Sequence, residues 1–360
     1  MKKFTIAFLL AIIAFCIVLA FVPGRIRKAA QSSSGYGVAA TTYPIWVLTR
    51  EVLDGTGIEA QLLTPPDAGC PHDYVLTAND LMKVSAARKP LLLFKNGAGL
   101  DDHICKAALT ANKGIVVIDT GAGIEIIGDD DHDEHDHEAE HIHDGEDDVD
   151  DDHDGHEGHE AEHEHEHEHE GEHGHEHEEI GHHHHHHGGE NGHFFASPYE
   201  ARKIVATIAG ELAKSDLVHA NKFRENAAKL DKRLQILGDE FKAQLAPYAS
   251  RHVAAQHNIF DYLLRDCGFE KPLAILADPE TPPSPAEITV LTKEFKEHDV
   301  KVIFTEPQYP DELAKLIGKE AGAVVVKIDP VASGPADPPA GYYFDVMHSN
   351  LEIMKKALAE

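Results

Sequence analysis

The stretch DLVHANKFRENAAKLDKRLQILGDEFKAQL, residues 216–245, decides the architecture. Phe223, Ala227, Leu230, Leu234, Leu237, Phe241 and Leu245 recur at threes and fours, so one apolar stripe runs along a single helix. Its thirty residues would reach about 45 Å, longer than a typical globular helix. Flanked on both sides by strand and helix patterns, it reads as a rigid strut joining two lobes. A rigid strut permits only modest change in the cleft between them.

Outward from the strut, both sides alternate short apolar strands with helices. On the N-terminal side, residues 37–42, 59–63, 91–94 and 115–119 read as strands and 45–54 as a helix. Thr77, with Asp80 three residues on, caps a further helix whose apolar face holds Leu81 and Val84. On the C-terminal side, residues 252–255, 273–276, 300–305 and 323–328 read as strands, separated by helices such as 286–297 and 310–319. Strands alternating with helices imply mainly parallel sheets, one per lobe. The fold class is therefore α/β, with an N-terminal lobe over 36–215, a linking helix over 216–248 and a C-terminal lobe over 249–360. Ligands of such sheets bind beyond the strand ends, here in the interlobe cleft.

Residues 129–190 are set into the N-terminal lobe and differ in kind. They contain 21 histidines and 28 acidic residues and no lysine or arginine. Outside them 35 acidic residues face 32 basic ones, so nearly all of the net charge of −31 is local. Ile142, Val149 and Ile180 are the only sizeable apolar side chains, too few to offset the entropy of ordering, and disorder without ligand is expected. Imidazole suits Zn(II), Ni(II) and Cu(II), while the carboxylates concentrate cations. The His-Glu alternation (His163, His165, His167) and the run at 182–187 (His182, His184, His186) would hold several ions weakly, without fixed geometry. Full protonation would move this tract from −28 to −7, so capture should fade below about pH 6. Unchanged capture at about pH 5 by a peptide of these residues would contradict that reading.

Lys2 and Lys3 precede an apolar run over 4–22, so residues 1–28 read as a Sec-type signal peptide or signal anchor and the protein as exported, hence periplasmic. Val18-Leu19-Ala20 offers a small-residue cleavage pattern, yet the run is nearly long enough to remain as an anchor. Phe15 precedes Cys16 where lipid attachment wants a small residue, which argues against a lipoprotein. Beyond the signal stand Cys70, Cys105 and Cys267; Cys70 and Cys105 either pair or remain buried thiols. Cys70, two residues from His72, is a conceivable sulfur donor, but reversible exchange outside the cell gains little from an oxidisable thiolate.

Eight histidines lie outside the tract, and three stand at strand ends or helix starts. His72 follows the second strand through a Gly69-containing turn. His193 directly follows the tract and precedes a helix with Ser197 as N-cap and Pro198 as first residue. His257 follows the strand over 252–256. Any one of them alone would more often be structural; together, beside the tract, they suggest tetrahedral Zn(II) ligation, with Asp329 as the natural carboxylate. The alternative for Asp329 is a turn-forming Asp-Pro. His103, after Asp101 and Asp102, is a candidate peripheral metal residue, whereas His219 and His298 read as solvated and His252 and His348 as packing residues.

These positions carry a resemblance. Gly69-Cys70-Pro71-His72-Asp73-Tyr74, His193-Phe194-Phe195-Ala196-Ser197-Pro198, Gln256-His257-Asn258-Ile259-Phe260-Asp261-Tyr262, Phe304-Thr305-Glu306-Pro307-Gln308-Tyr309 and Ile328-Asp329-Pro330 resemble the ligand segments of the zinc-binding solute receptors of bacterial zinc-uptake ABC transporters. The likeness covers essentially everything after the signal. It implies two α/β lobes, a long connecting helix, and zinc in the cleft held by His72, His193, His257 and, in some members, the acid at Asp329. It also implies an acidic His-rich loop before the second ligand, and His257 in place of a carboxylate favours zinc over manganese. Phe195 and Ser197 replace the usual Trp and Asp near His193, and Asn258 a common Asp, which bears on how His193 is supported. Glu306 is the alternative fourth ligand.

The expected function is a receptor that captures Zn(II) and delivers it to an ABC permease, as a monomer without a nucleic-acid partner. The alternative is a periplasmic metal sink or chaperone acting mainly through the His-rich loop. No enzyme is expected: neither a His-Glu-x-x-His helix nor a nucleophile elbow occurs.

Overall fold

The computed structural model describes residues 35–128, 190–276 and 283–360. The export reading of 1–28 and the metal-capture reading of the tract, including His163, His165, His167, His182, His184 and His186, lie outside the described residues. Among the described residues no helix is long and apolar enough to cross a membrane.

The N-terminal lobe holds strands β1 (Gly37–Ala40), β2 (Ala60–Leu62), β3 (Leu91–Lys95) and β4 (Ile115–Asp119), with helices α1 (Tyr43–Leu53), α2 (Ala78–Ala86) and α3 (Asp102–Ala111). Its sheet is parallel in the order β2-β1-β3-β4. A two-stranded antiparallel pair, β5 (Ile127–Gly128) and β6 (Glu190–Asn191), joins the two ends of the chain that flank the tract. Then come α4 (Pro198–Ser215) and the long helix α5 (Ala220–Leu245). The C-terminal lobe follows with β7 (Val253–Ala255), α6 (Asp261–Asp266), β8 (Leu273–Ala274), α7 (Pro285–Glu297), β9 (Val302–Thr305), α8 (Glu312–Ala321), β10 (Val324–Lys327) and α9 (Tyr342–Ala359). Its sheet is also parallel, in the order β10-β9-β7-β8. Both sheets therefore share one plan: the second strand lies outside the first and the third on its other side. The order reverses between β1 and β3 and between β7 and β9, the positions at which open parallel sheets place ligands beyond the carboxyl ends of their strands.

The strut is shorter than expected, 26 residues or about 39 Å. Asp216 accepts the backbone N–H groups of Val218 and His219 and the His219 ring nitrogen, which folds residues 216–219 into a turn. Past Leu245 the chain tightens into a 3-10 turn, Ala246–Tyr248, containing Pro247. Phe223, Leu230, Leu234, Leu237, Phe241 and Leu245 are buried as the spacing predicts, and α5 packs against α4, α1 and α9.

Alternation along the strands divides the core. Leu92 and Phe94 of β3 face inward with Val253, Ala255, Val302 and Phe304 of the other sheet, and with α5 they form one cluster spanning both lobes. Leu91 and Leu93 face outward onto α2 and α3, and Ala254 and Ile303 onto α7 and α8, in two smaller clusters. Helices α3 and α9 belong to the structure alone. Cys70, Cys105 and Cys267 are all buried and in no disulfide, which decides the open Cys70–Cys105 question for separate thiols.

Candidate metal centre

His72 sits in a 3-10 turn, Pro71–Asp73, beyond the end of β2. Gly69 turns the chain towards it with φ +80°, a conformation that side chains with a Cβ rarely adopt. Behind the turn, His103 Nε2 meets the Tyr74 carbonyl oxygen at 2.9 Å, and the Tyr74 hydroxyl donates to Asp80 Oδ2 at 2.7 Å. Asp80 also completes the expected capping box with Thr77 at the start of α2. The loop that presents His72 is thus tied to two helices.

His193 opens a 3-10 turn, His193–Ala196, directly after β6, and is 4% exposed. Its backbone N–H and its ring Nδ1 both point at Asn191 Oδ1, each at 2.9 Å. The Asn191 amide nitrogen donates to the Asn258 carbonyl at 2.7 Å and to Asp261 Oδ2 at 3.1 Å, so the amide oxygen must face His193. That acceptor puts the proton on Nδ1 and leaves Nε2 as a lone pair directed at the site. Phe195, fully buried, meets the His193 ring edge-on at 6.0 Å between centroids. Ser197 caps α4 as expected, with Pro198 first in the helix. Support for His193 therefore comes from Asn191, and the residues at 195 and 197 do packing and capping.

His257 follows β7, and Glu306 follows the neighbouring β9, so the two meet at the reversal point of the second sheet. His257 Nδ1 lies 2.5 Å from Glu306 Oε1, and Gln308 Nε2 donates to Glu306 Oε2 at 2.6 Å. Both members of the pair are buried, at 2% and 0% exposure. Glu306 faces the His257 ring through Oε1 and holds Gln308 through Oε2, and the remaining ring nitrogen of His257, Nε2, is buried.

The three rings converge. Their centroids are 5.0 Å (His193–His257), 5.6 Å (His72–His193) and 5.9 Å (His72–His257) apart, with planes at 82°, 79° and 89°. Cys70 Sγ joins them 3.1 Å from His193 Nε2. One donor atom from each of Cys70, His72, His193 and His257 lies within 4.8 Å of all the others, the one such group among the described residues. Burial, followed by the neighbouring His257 and His72 rings, holds the His193 pKa well below the ordinary imidazole range. Burial pushes His257 the same way, but the Glu306 carboxylate overcomes it and raises His257 above that range. Three imidazoles and a thiol at this separation form a donor set suited to a tetrahedral, borderline-soft cation.

Asp329 is absent from the group, contrary to expectation. Its Oδ1 accepts the Val331 N–H at 2.8 Å, holding Val331 at φ +65°, and Asn350 clamps its backbone N–H and carbonyl at 2.9 and 2.6 Å. The turn-forming Asp-Pro alternative is what the structure displays. His103 likewise belongs to no donor group among the described residues: Asp101 turns inward to Thr41 and to the backbone N–H groups of Asn96 and Gly97, Asp102 pairs with Lys95, and His103 faces Tyr74. His252 and His348, read as packing residues, are instead half exposed and lie beside Glu270 and Glu240. Cys70 is the residue that sequence reasoning set aside; the signal was its place two residues before His72, on the far side of Pro71.

Over 321 residues the chain is 25% identical to the zinc-binding protein AdcA of Streptococcus pyogenes, covering 88% of this chain and 55% of that protein. The chain thus spans about half the length of these streptococcal relatives. The high-affinity zinc uptake system protein ZnuA of Bacillus subtilis is 26% identical over 357 residues, 97% of each chain. Among solved structures, nickel-bound FpvC of Pseudomonas aeruginosa matches with a TM-score of 0.67 and 23% identity over 90% of this chain and 97% of that one. Zn(II)-bound AdcAII of Streptococcus pneumoniae matches with a TM-score of 0.64 and 20% identity, over 90% and 99%. At such identities the structural likeness is one of fold. Residues 38–357 match the family described as zinc-uptake complex component A, periplasmic. By that match, which spans both lobes, the chain belongs to the family of the periplasmic component A of zinc-uptake complexes.

Proposed function

We propose that this protein captures Zn(II) outside the cytoplasm between its two lobes, through His72, His193 and His257, and delivers it to an ABC permease. The observation that carries the reading is the convergence of three imidazoles on one buried point, two of them fixed in orientation by Asn191 and Glu306. Orienting partners of this kind set the tautomer and raise the basicity of metal-binding histidines. The relatives named for zinc binding and zinc uptake support the choice of metal, and the family supports a periplasmic receptor. Nothing in the donor set supplies the general base that a catalytic zinc site places beside an open position, since Glu306 is committed to His257.

The test is Zn(II) titration against a chromophoric competitor, using protein in which residues 129–189 are replaced by a short linker. One tight ion is expected, weakened by more than about 100-fold in His257→Ala. Only trace binding by the shortened protein, with tight binding in the full chain indifferent to His257→Ala, would overturn the proposal in favour of a metal sink in the His-rich tract.

A further inference from the structure

We propose that Cys70 is the fourth donor of this site and makes it selective for thiophilic ions. The inference rests on the zinc-receptor reading above and deepens it. Cys70 is fully buried, held between the positive-φ Gly69 and Pro71, so its Sγ has little freedom to turn elsewhere. Sγ stands 3.1 Å from His193 Nε2, and Cys70 also hydrogen-bonds the buried His257 ring of the same group. A tetrahedral zinc with three nitrogens and one sulfur would space its donors roughly 3.3–3.6 Å apart, close to the observed separation of sulfur and nitrogen. Of the carboxylates that would otherwise complete the shell, Glu306 is paired with His257 and Gln308, and Asp329, whose Oδ1 accepts the Val331 N–H, lies outside the donor group.

A sulfur in place of an oxygen changes which ions compete. Thiolate favours Zn(II), Cd(II) and Cu(I) over Mn(II), Mg(II) and Ca(II), which prefer oxygen ligands. The other two thiols of the lobes do not compete for this role. Cys105 and Cys267 lie away from the group, and burial pushes each up to about 12.

Cobalt(II) absorption of the full-length protein tests the idea, because the His-rich tract contains no cysteine and contributes no sulfur band. One equivalent of Co(II) should give tetrahedral visible bands together with a near-ultraviolet sulfur-to-cobalt transition. That transition should persist in the Cys16→Ser/Cys105→Ser/Cys267→Ser triple variant and vanish in Cys70→Ser, whose preference for Cd(II) over Zn(II) should drop about tenfold or more. Tetrahedral Co(II) without the sulfur band in the unmodified protein would overturn the proposal while leaving the three-histidine receptor intact. Failure to bind Co(II) or Zn(II) tightly, or binding unaffected by His257→Ala, would remove the receptor reading itself. If Cys70→Ser does not fold, the spectra of the unmodified protein and the triple variant, in which Cys70 is the one remaining thiol, still decide.

Discussion

Asn191 shapes the site from behind the residues that would touch the metal. Its oxygen receives two hydrogens from His193 and its nitrogen holds the Asn258 carbonyl and Asp261, so one amide sets a ring and fastens two ligand loops together. Asn191→Leu keeps the approximate volume and removes all four contacts. Zn(II) affinity should fall about 10- to 100-fold while the far-ultraviolet circular dichroism stays unchanged; an unaltered dissociation constant would mean that His193 is oriented by packing alone. Gly192 is a second control point, because a Cβ there would sit 2.8 Å from Leu100 Cβ. Gly192→Ala should therefore displace the His193 turn and destabilise the protein by about 1–3 kcal/mol, read as a lower urea midpoint. At this scale the three histidines were legible because each stands at a strand end or helix start. The choice between Cys70 and Asp329 was not, since it turns on which side chain the backbone aims inward, and the Asx turn at Asp329 is invisible until Val331 is seen at positive φ.

Among the elements, α2 shows how a helix start can steady a ligand loop. Burial pushes the Asp80 carboxyl up, but hydrogen bonds from the Thr77 and Tyr74 hydroxyls, the Thr77 N–H and Lys83 outweigh it and bring it down to about 2. A carboxyl lowered on folding stabilises the protein above its ordinary pKa and loses that contribution as pH falls from about 4 towards about 2. The unmodified protein should exceed Asp80→Asn in stability by about 1 kcal/mol near neutral pH, with the gap closing across that acid range in urea melts. A gap independent of pH would show that the capping geometry alone matters. Elements bounded by a cap or a clear apolar run were readable: Thr77, Ser197 and the five residues of β4 fell where the pattern put them. Helices α3 and α9 escaped because α3 begins without a side-chain cap and α9 starts at a left-handed glycine, Gly341, so neither announces its start.

In the molecule as a whole, the inner faces of both sheets and the apolar stripe of α5 share a single core. The lobes should therefore unfold together. Trp46, the one tryptophan, lies in α1 of the N-terminal lobe, so its fluorescence and the far-ultraviolet circular dichroism should give coincident urea transitions. Two separated transitions would show that α5 joins the lobes without coupling them. Leu234→Ala in α5, at a fully buried position, should lower the shared midpoint by an amount equivalent to about 2–5 kcal/mol. The two-lobe plan and the strut were legible from periodicity, whereas the sharing of one core depends on which face of each strand turns inward, and short strands buried on both faces carry no such mark. The β5–β6 pair has an evolutionary consequence. It brings the two chain ends that flank the tract side by side, at a point two residues from His193. Between such fixed ends each doubling of length costs only about 0.6 kcal/mol of closure entropy, so a lineage can lengthen, shorten or recompose the segment at little cost to the fold.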